Sequence, residues 1–123
     1  MFKIKFKIKK SDMHGLGIFA EENIPKGKVI YIIEEGMDLH ISPEKFNNLP
    51  NESKNTIKHY GYFDKINNAY HLSYDDIRFC NHSSTQANIT NINGVLVAMR
   101  EILSGEELLQ NYSEFEDLRD DLK

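Results

Sequence analysis

The chain opens on a two-residue rhythm in which Phe2, Ile4, Phe6 and Ile8 alternate with Lys3, Lys5, Lys7 and Lys9. A period of two puts one set on each face of a strand, so residues 1–10 are expected to form a half-buried β-strand. This is not the unbroken apolar block of a signal peptide. Residues 11–17 read as a loop, an apolar run resumes at 18–20, and Pro25-Lys26-Gly27 turns the chain into a strand at 28–33. Ser42-Pro43-Glu44 supplies a capping serine, a first-turn proline and an acid at the positive end of the helix dipole. That combination predicts a helix start; Pro50 then interrupts it, leaving short helical pieces to about residue 58.

Two hairpins follow. Residues 60–66 and 69–73 flank Asn67-Asn68, and Asn93-Gly94 feeds a strand at 95–99; asparagine and glycine tolerate the left-handed backbone of tight turns. Near the end, Phe115, Leu118 and Leu122 recur at helical spacing behind Ser113, which predicts a helical flank over 113–123. Many short strands, a few short helices and no strand-helix-strand alternation give a mostly β (α+β) class. A Rossmann-type cofactor site does not fit that pattern.

Composition narrows the picture. The 123 residues suit a single domain, 1–123, and a hydrophobic content of 40% can fill its core. A net charge of −4 with interspersed lysines and acids gives no support to direct nucleic-acid binding, although it suits a basic peptide. No stretch reaches membrane-spanning length. The lone Cys80 makes neither an internal disulfide nor a cysteine-rich zinc site, and reads as a small core residue in a reducing, intracellular setting, cytoplasmic or nuclear.

Taken singly, the candidate chemical groups point nowhere. His14, His40, His59, His71 and His82 lack metal-ligand spacing, so no metal site is expected. No serine stands in a nucleophile elbow, which removes the support for covalent hydrolysis. Gly15-Leu16-Gly17 is an ordinary turn pair by itself, and Tyr60, Tyr62, Tyr70, Tyr74 and Tyr112 are ordinary aromatics.

Read in order, three segments change this. A Gly-x-Gly loop at 15–17 is followed by Arg78-Phe79-Cys80-Asn81-His82-Ser83 with Asn88, and then by Gly105-Glu106-Glu107-Leu108-Leu109-Gln110-Asn111-Tyr112. Together they resemble the SET domain, and the stretch 15–30 is similar to that family's opening block. The resemblance covers nearly the whole chain. Two departures stand out: Gln86-Ala87-Asn88 replaces the usual Pro-Asn ending, and Gln110 stands where many members have an aromatic residue. The cysteine-rich segment that often follows is absent, which gives the 113–123 flank, a partner subunit or the substrate the task of covering the site.

The resemblance implies a SET fold of small curved sheets in which the chain threads through a loop near its C-terminus, a pseudo-knot that brings Asn81 and Tyr112 together. It implies protein-lysine N-methylation with S-adenosyl-L-methionine as methyl donor. Gly15, Leu16 and Gly17 would approach the methionine end of the cofactor, Asn81 would hydrogen-bond its amino group, and the His82 main chain would read the adenine edge. Tyr112 would be the catalytic tyrosine, with Tyr60, Tyr62 and Phe79 as walls of the substrate channel. Arg78 reads either as a structural ion-pair partner for Glu106 or Glu107 or as a cofactor contact, the structural role being favoured. The partner is a protein or peptide carrying a target lysine, histones being the substrates the family is known for, and a homodimer is compatible with a domain this small. The rival readings are a non-catalytic SET-like module that binds a peptide, and an oligomer paired through the lysine-striped first strand.

Overall fold

The computed structural model describes residues 1–34 and 36–114, so the expected helix at 113–123 lies, apart from its first two residues, outside the described residues. The elements, in chain order, are β1 (Phe6–Lys10), β2 (Leu16–Ala20), β3 (Val29–Ile32), β4 (Leu39–Ile41), α1 (Pro43–Asn47), α2 (Asn51–Tyr60), β5 (Tyr62–Asp64), β6 (Ala69–Leu72), β7 (Asn81–His82), β8 (Ile89–Ile92), β9 (Val95–Ala98) and β10 (Leu109–Gln110). Short 3₁₀ turns occupy Asp76–Phe79 and Tyr112–Glu114. The class is mostly β with two short helices, as the pattern of short strands implied. Among the described residues no helix is long and apolar enough to cross a membrane.

The chain divides into two compact units. The first holds Met1–Ile33 and Phe79–Glu114. The strand expected over 1–10 is shorter, covering only 6–10, with Phe2 making an isolated bridge to Tyr31; the alternation of burial persists, Ile4 being buried and Phe6 and Ile8 half-buried while the lysines are exposed. β1 pairs antiparallel with β2 from Phe6 opposite Ala20 to Lys10 opposite Leu16. Leu16 and Gly17 therefore lie in a strand and not in the loop expected over 11–17, because the ladder needs only residues 11–15 for its turn.

β3, β9 and β8 form a three-stranded antiparallel sheet, and Asn93 and Gly94 turn the β8-β9 hairpin with φ of 53° and 85°. Two successive positive φ values are the type I′ geometry that matches the twist of the flanking strands. Ile18, Ile24, Ile30, Ile89, Ile102 and Leu108 are almost fully buried and make the core of this unit. At about 25 cal/mol per Å², each such side chain contributes roughly 1.5–3 kcal/mol of transfer free energy.

β7 and β10 pair in parallel, with Leu109 opposite Asn81 and Gln110 opposite His82. On the other side of β10, the Asn88 N–H donates to the Leu109 carbonyl at 3.0 Å and the Leu109 N–H donates to Asn88 Oδ1 at 2.9 Å. The final segment is thus held between residues 81–83 and Asn88.

The second unit, described over Glu34–Arg78, contains the antiparallel sheet β4-β6-β5 and both helices. Ser42 caps α1 as expected, its Oγ accepting the Lys45 N–H at 3.1 Å, with Pro43 in the first turn. Phe46 is buried and its ring stacks on Tyr70 at 3.9 Å between centroids. α2 runs to Tyr60 because Gly61 follows, so the strand foreseen over 60–66 begins only at Tyr62. Asn68, with φ of 51°, turns the chain between β5 and β6.

Candidate active site

The first unit brings the three sequence segments together around one carboxylate. In the 11–15 turn the Ser11 N–H donates to the Gly15 carbonyl at 2.7 Å, and Ser11 Oγ accepts the Met13 N–H at 2.9 Å. Gly15 has φ of 47°, the left-handed region that favours glycine. The Ser11 hydroxyl donates to the Glu107 carboxylate, 2.7 Å from one oxygen and 2.8 Å from the other. Glu107 comes from the final motif, 96 residues away.

Asn81 completes the junction. Its Nδ2 donates to the carbonyls of His14 and Leu16, each at 3.0 Å, and to Glu107 Oε2 at 2.8 Å. Three acceptors around this nitrogen fix the amide's orientation, since a flipped amide would press its oxygen against them. None of the described residues donates to Asn81 Oδ1. No side-chain polar atom there is both sealed from solvent and unpartnered, so this oxygen is open to the outside although the residue is only 8% exposed.

Gly17 has a steric reason that differs from the one the family pattern suggests. A Cβ on Gly17 would stand 2.2 Å from Glu107 Oε2 and 3.1 Å from the Ser11 Cβ. Gly17 therefore makes room for the carboxylate that ties the loop down. Leu16, between the two glycines, is half exposed.

Tyr112 is held at both ends by the middle motif. Its N–H donates to His82 Nδ1 at 3.0 Å, the two rings lie 5.0 Å apart, and its hydroxyl donates to the Cys80 carbonyl. With that proton committed, the phenolic oxygen acts towards a further group as an acceptor. The His82 imidazole is engaged within the protein through this Nδ1 contact. Cys80 is buried, its thiol pushed up to about 12 by burial, and it stays protonated and inert.

The remaining candidates are placed as follows. Phe79 is half-buried at the end of its 3₁₀ turn. Tyr60 and Tyr62 belong to the second unit. There Arg78 lies over the Tyr60 ring at 5.3 Å, and Tyr62 stacks on His71 at 4.9 Å. The carboxylates suggested as partners for Arg78 are engaged otherwise: Glu106 meets Arg100 at 3.1 Å, and Glu107 holds Ser11 and Asn81. No three His, Cys, Asp or Glu residues among those described gather to hold a metal ion.

Sequence reasoning missed the roles of Glu107 and Ser11, and the buried pair of His71 with Asp38, whose Nε2 and Oδ2 are 2.6 Å apart. The only signal for Glu107 was its place in the final motif, where two adjacent glutamates offered no way to choose.

A sequence model of the SET domain matches residues 15–113. Among solved structures, a candidate histone methyltransferase of Plasmodium falciparum matches with a TM-score of 0.63 and 28% sequence identity. That alignment covers 89% of this chain and 94% of the other. No curated protein sequence matches the chain.

Proposed function

The chain belongs to the SET-domain family of protein-lysine methyltransferases, and from that premise we propose that it transfers a methyl group from S-adenosyl-L-methionine to the ε-amine of a lysine in a protein or peptide. The family match runs through residues of both compact units, which supports reading 1–123 as one SET domain with 113–123 as its flank. The histone methyltransferase description of the Plasmodium protein makes histones the first substrates to try.

The observation that carries the reading is Asn81: a nearly buried amide whose nitrogen is spent on the 14–16 backbone and whose oxygen is left as an open acceptor. An ammonium has donors and no acceptor, so this group fits the amino end of the cofactor. The left-handed Gly15 turn, which Asn81 ties down, fits a close backbone approach on the same side. S-adenosyl-L-methionine, when bound, supplies a methyl group already activated on a sulfonium.

The chain's own residues then have three tasks. Asn81 and the Gly15-Leu16-Gly17 backbone bind and orient the amino-acid end of the cofactor, and the His82 main chain reads the adenine edge. Tyr112 accepts a hydrogen bond from the substrate amine at its phenolic oxygen, and so aims the nitrogen lone pair; positioning of this kind is the main catalytic resource when no protein nucleophile takes part. Tyr60, Tyr62 and Phe79 are the proposed apolar walls that keep water from the amine. An unperturbed lysine, with a pKa near 10.4, is neutral in only about one molecule in two thousand at pH 7, and an apolar channel beside a cation lowers that pKa.

The test is incubation of the purified chain with labelled S-adenosyl-L-methionine and a panel of histones and other lysine-bearing proteins, beside Tyr112→Phe, with methyl groups located by mass spectrometry. Methyl-lysine made by the unmutated protein and not by the variant is the expected result. Absence of transfer together with absence of cofactor binding in a titration would leave the non-catalytic module in its place.

A further inference from the structure

Glu107 is a part-buried carboxylate held by neutral donors alone. Ser11 Oγ and Asn81 Nδ2 satisfy its oxygens, and among the described residues no lysine, arginine or histidine pairs with it. The neighbouring Glu106, by contrast, takes Arg100 at 3.1 Å. Charges withdrawn from water are ordinarily matched by an opposite charge, because hydrogen bonds from neutral groups leave the net charge in place. Here no matching cation stands among the described residues, while one hydrogen bond away the Asn81 oxygen stands open as an acceptor.

We propose that Glu107 is a positioning residue for the cofactor's cationic amino-acid end, acting through Asn81. The chain of bonds runs from the carboxylate to the Asn81 N–H, through the amide, to Oδ1. A negative acceptor on the N–H side draws electron density towards the amide oxygen and strengthens it as an acceptor, since linked hydrogen bonds polarise one another. The same carboxylate fixes the amide in the orientation that turns Oδ1 outward, and through Ser11 it locks the 11–15 turn. Its negative charge would offset that of the ammonium. Gly17 belongs to this device, because any side chain there would displace the carboxylate.

The inference rests on the cofactor reading given above, and the experiment separates the two. S-adenosylhomocysteine, which carries the ammonium, and 5′-methylthioadenosine, which lacks the amino-acid end, are titrated calorimetrically into the unmutated chain, Glu107→Gln and Ser11→Ala. Binding of S-adenosylhomocysteine to the unmutated chain is required by the cofactor reading itself, and its absence overturns that reading first.

Given binding, Glu107→Gln is expected to weaken S-adenosylhomocysteine about tenfold, a charge-assisted effect of about 1.4 kcal/mol, and to leave 5′-methylthioadenosine unchanged. Ser11→Ala, which keeps the carboxylate and removes one of its anchors, is expected to act in the same direction by about threefold. Equal weakening of both ligands by the variants would make Glu107 merely structural and overturn the proposal. Unchanged affinity for both ligands would overturn it as well.

Discussion

Each compact unit contains a nearly buried polar cluster, and the two are built on opposite plans. In the first, Ser11, Asn81 and Glu107 tie together backbone from three distant parts of the chain, and Asn81 Oδ1 is left open. In the second, His71 is enclosed: Tyr62 Oη meets Nδ1 at 3.1 Å, Asp38 Oδ2 meets Nε2 at 2.6 Å, and Asp38 Oδ1 accepts the Tyr74 N–H at 3.0 Å. His71 is also the register partner of both Tyr62 and His40, at the centre of the β4-β6-β5 sheet. The reason for the difference lies in the strands. β7 and β10 are two residues each and offer little ladder, so side chains do much of the tying, and one of them keeps an oxygen to which no described residue donates. The three-stranded sheet is already tied by its ladder, so its polar cluster is turned inward.

The comparison is broken most severely by removing Asp38. With Asp38→Ala, both His71 and Asp38's other partner, the Tyr74 N–H, lose their acceptor; the side chains of this pair are 4% and 3% exposed. Leaving a buried donor without its acceptor costs about 1–3 kcal/mol, and more where a charged group is involved. Urea denaturation should show that loss as a lower midpoint with an unchanged slope. A change below about 1 kcal/mol would mean that the second cluster is not the closed structural element described here.

The two clusters also differ in how far the sequence disclosed them. The first was legible as motifs, because Gly-x-Gly, Asn-His-Ser and the segment ending at Tyr112 occur in a recognisable order, and the Asn93-Gly94 turn and the Ser42 cap declare themselves through local chemistry. The carboxylate at the junction was not legible: Glu106 and Glu107 are neighbours, and only folding decides that one faces Arg100 and the other Asn81. Nothing in the sequence linked Asp38 to His71, because 33 residues separate them and their meeting depends on strand register, a non-local property. Likewise Gly17 looked like a loop glycine because its reason lies 90 positions downstream.

An intermediate effect is expected from Gly17→Ala, which attacks the first cluster without touching a hydrogen-bonding group. The added Cβ, 2.2 Å from Glu107 Oε2, forces the carboxylate to move. Overpacking of this kind costs about 1–3 kcal/mol. If the first cluster is the ligand-facing one, calorimetry should show S-adenosylhomocysteine weakened by more than the denaturation midpoint alone implies. Full affinity in a destabilised variant would erase the distinction between the clusters.

Ser42→Ala gives the smallest and most discriminating effect. Ser42 Oγ accepts the Lys45 N–H at the start of α1, and the alanine leaves that donor to water. Loss of an N-cap of this type costs about 1 kcal/mol. The lesion sits in the second unit and removes no member of either cluster, so the expected result is a small fall in the urea midpoint with unchanged affinity for S-adenosylhomocysteine. Stability and ligand affinity would then be separable by position in the chain: Asp38 and Ser42 changing stability alone, Glu107 changing affinity, and Gly17 changing both. A matching fall in affinity for Ser42→Ala would instead show that ligand binding reads the stability of the chain as a whole, and the affinity losses expected at Gly17 and Glu107 would have to be corrected for it before either is assigned to the ligand.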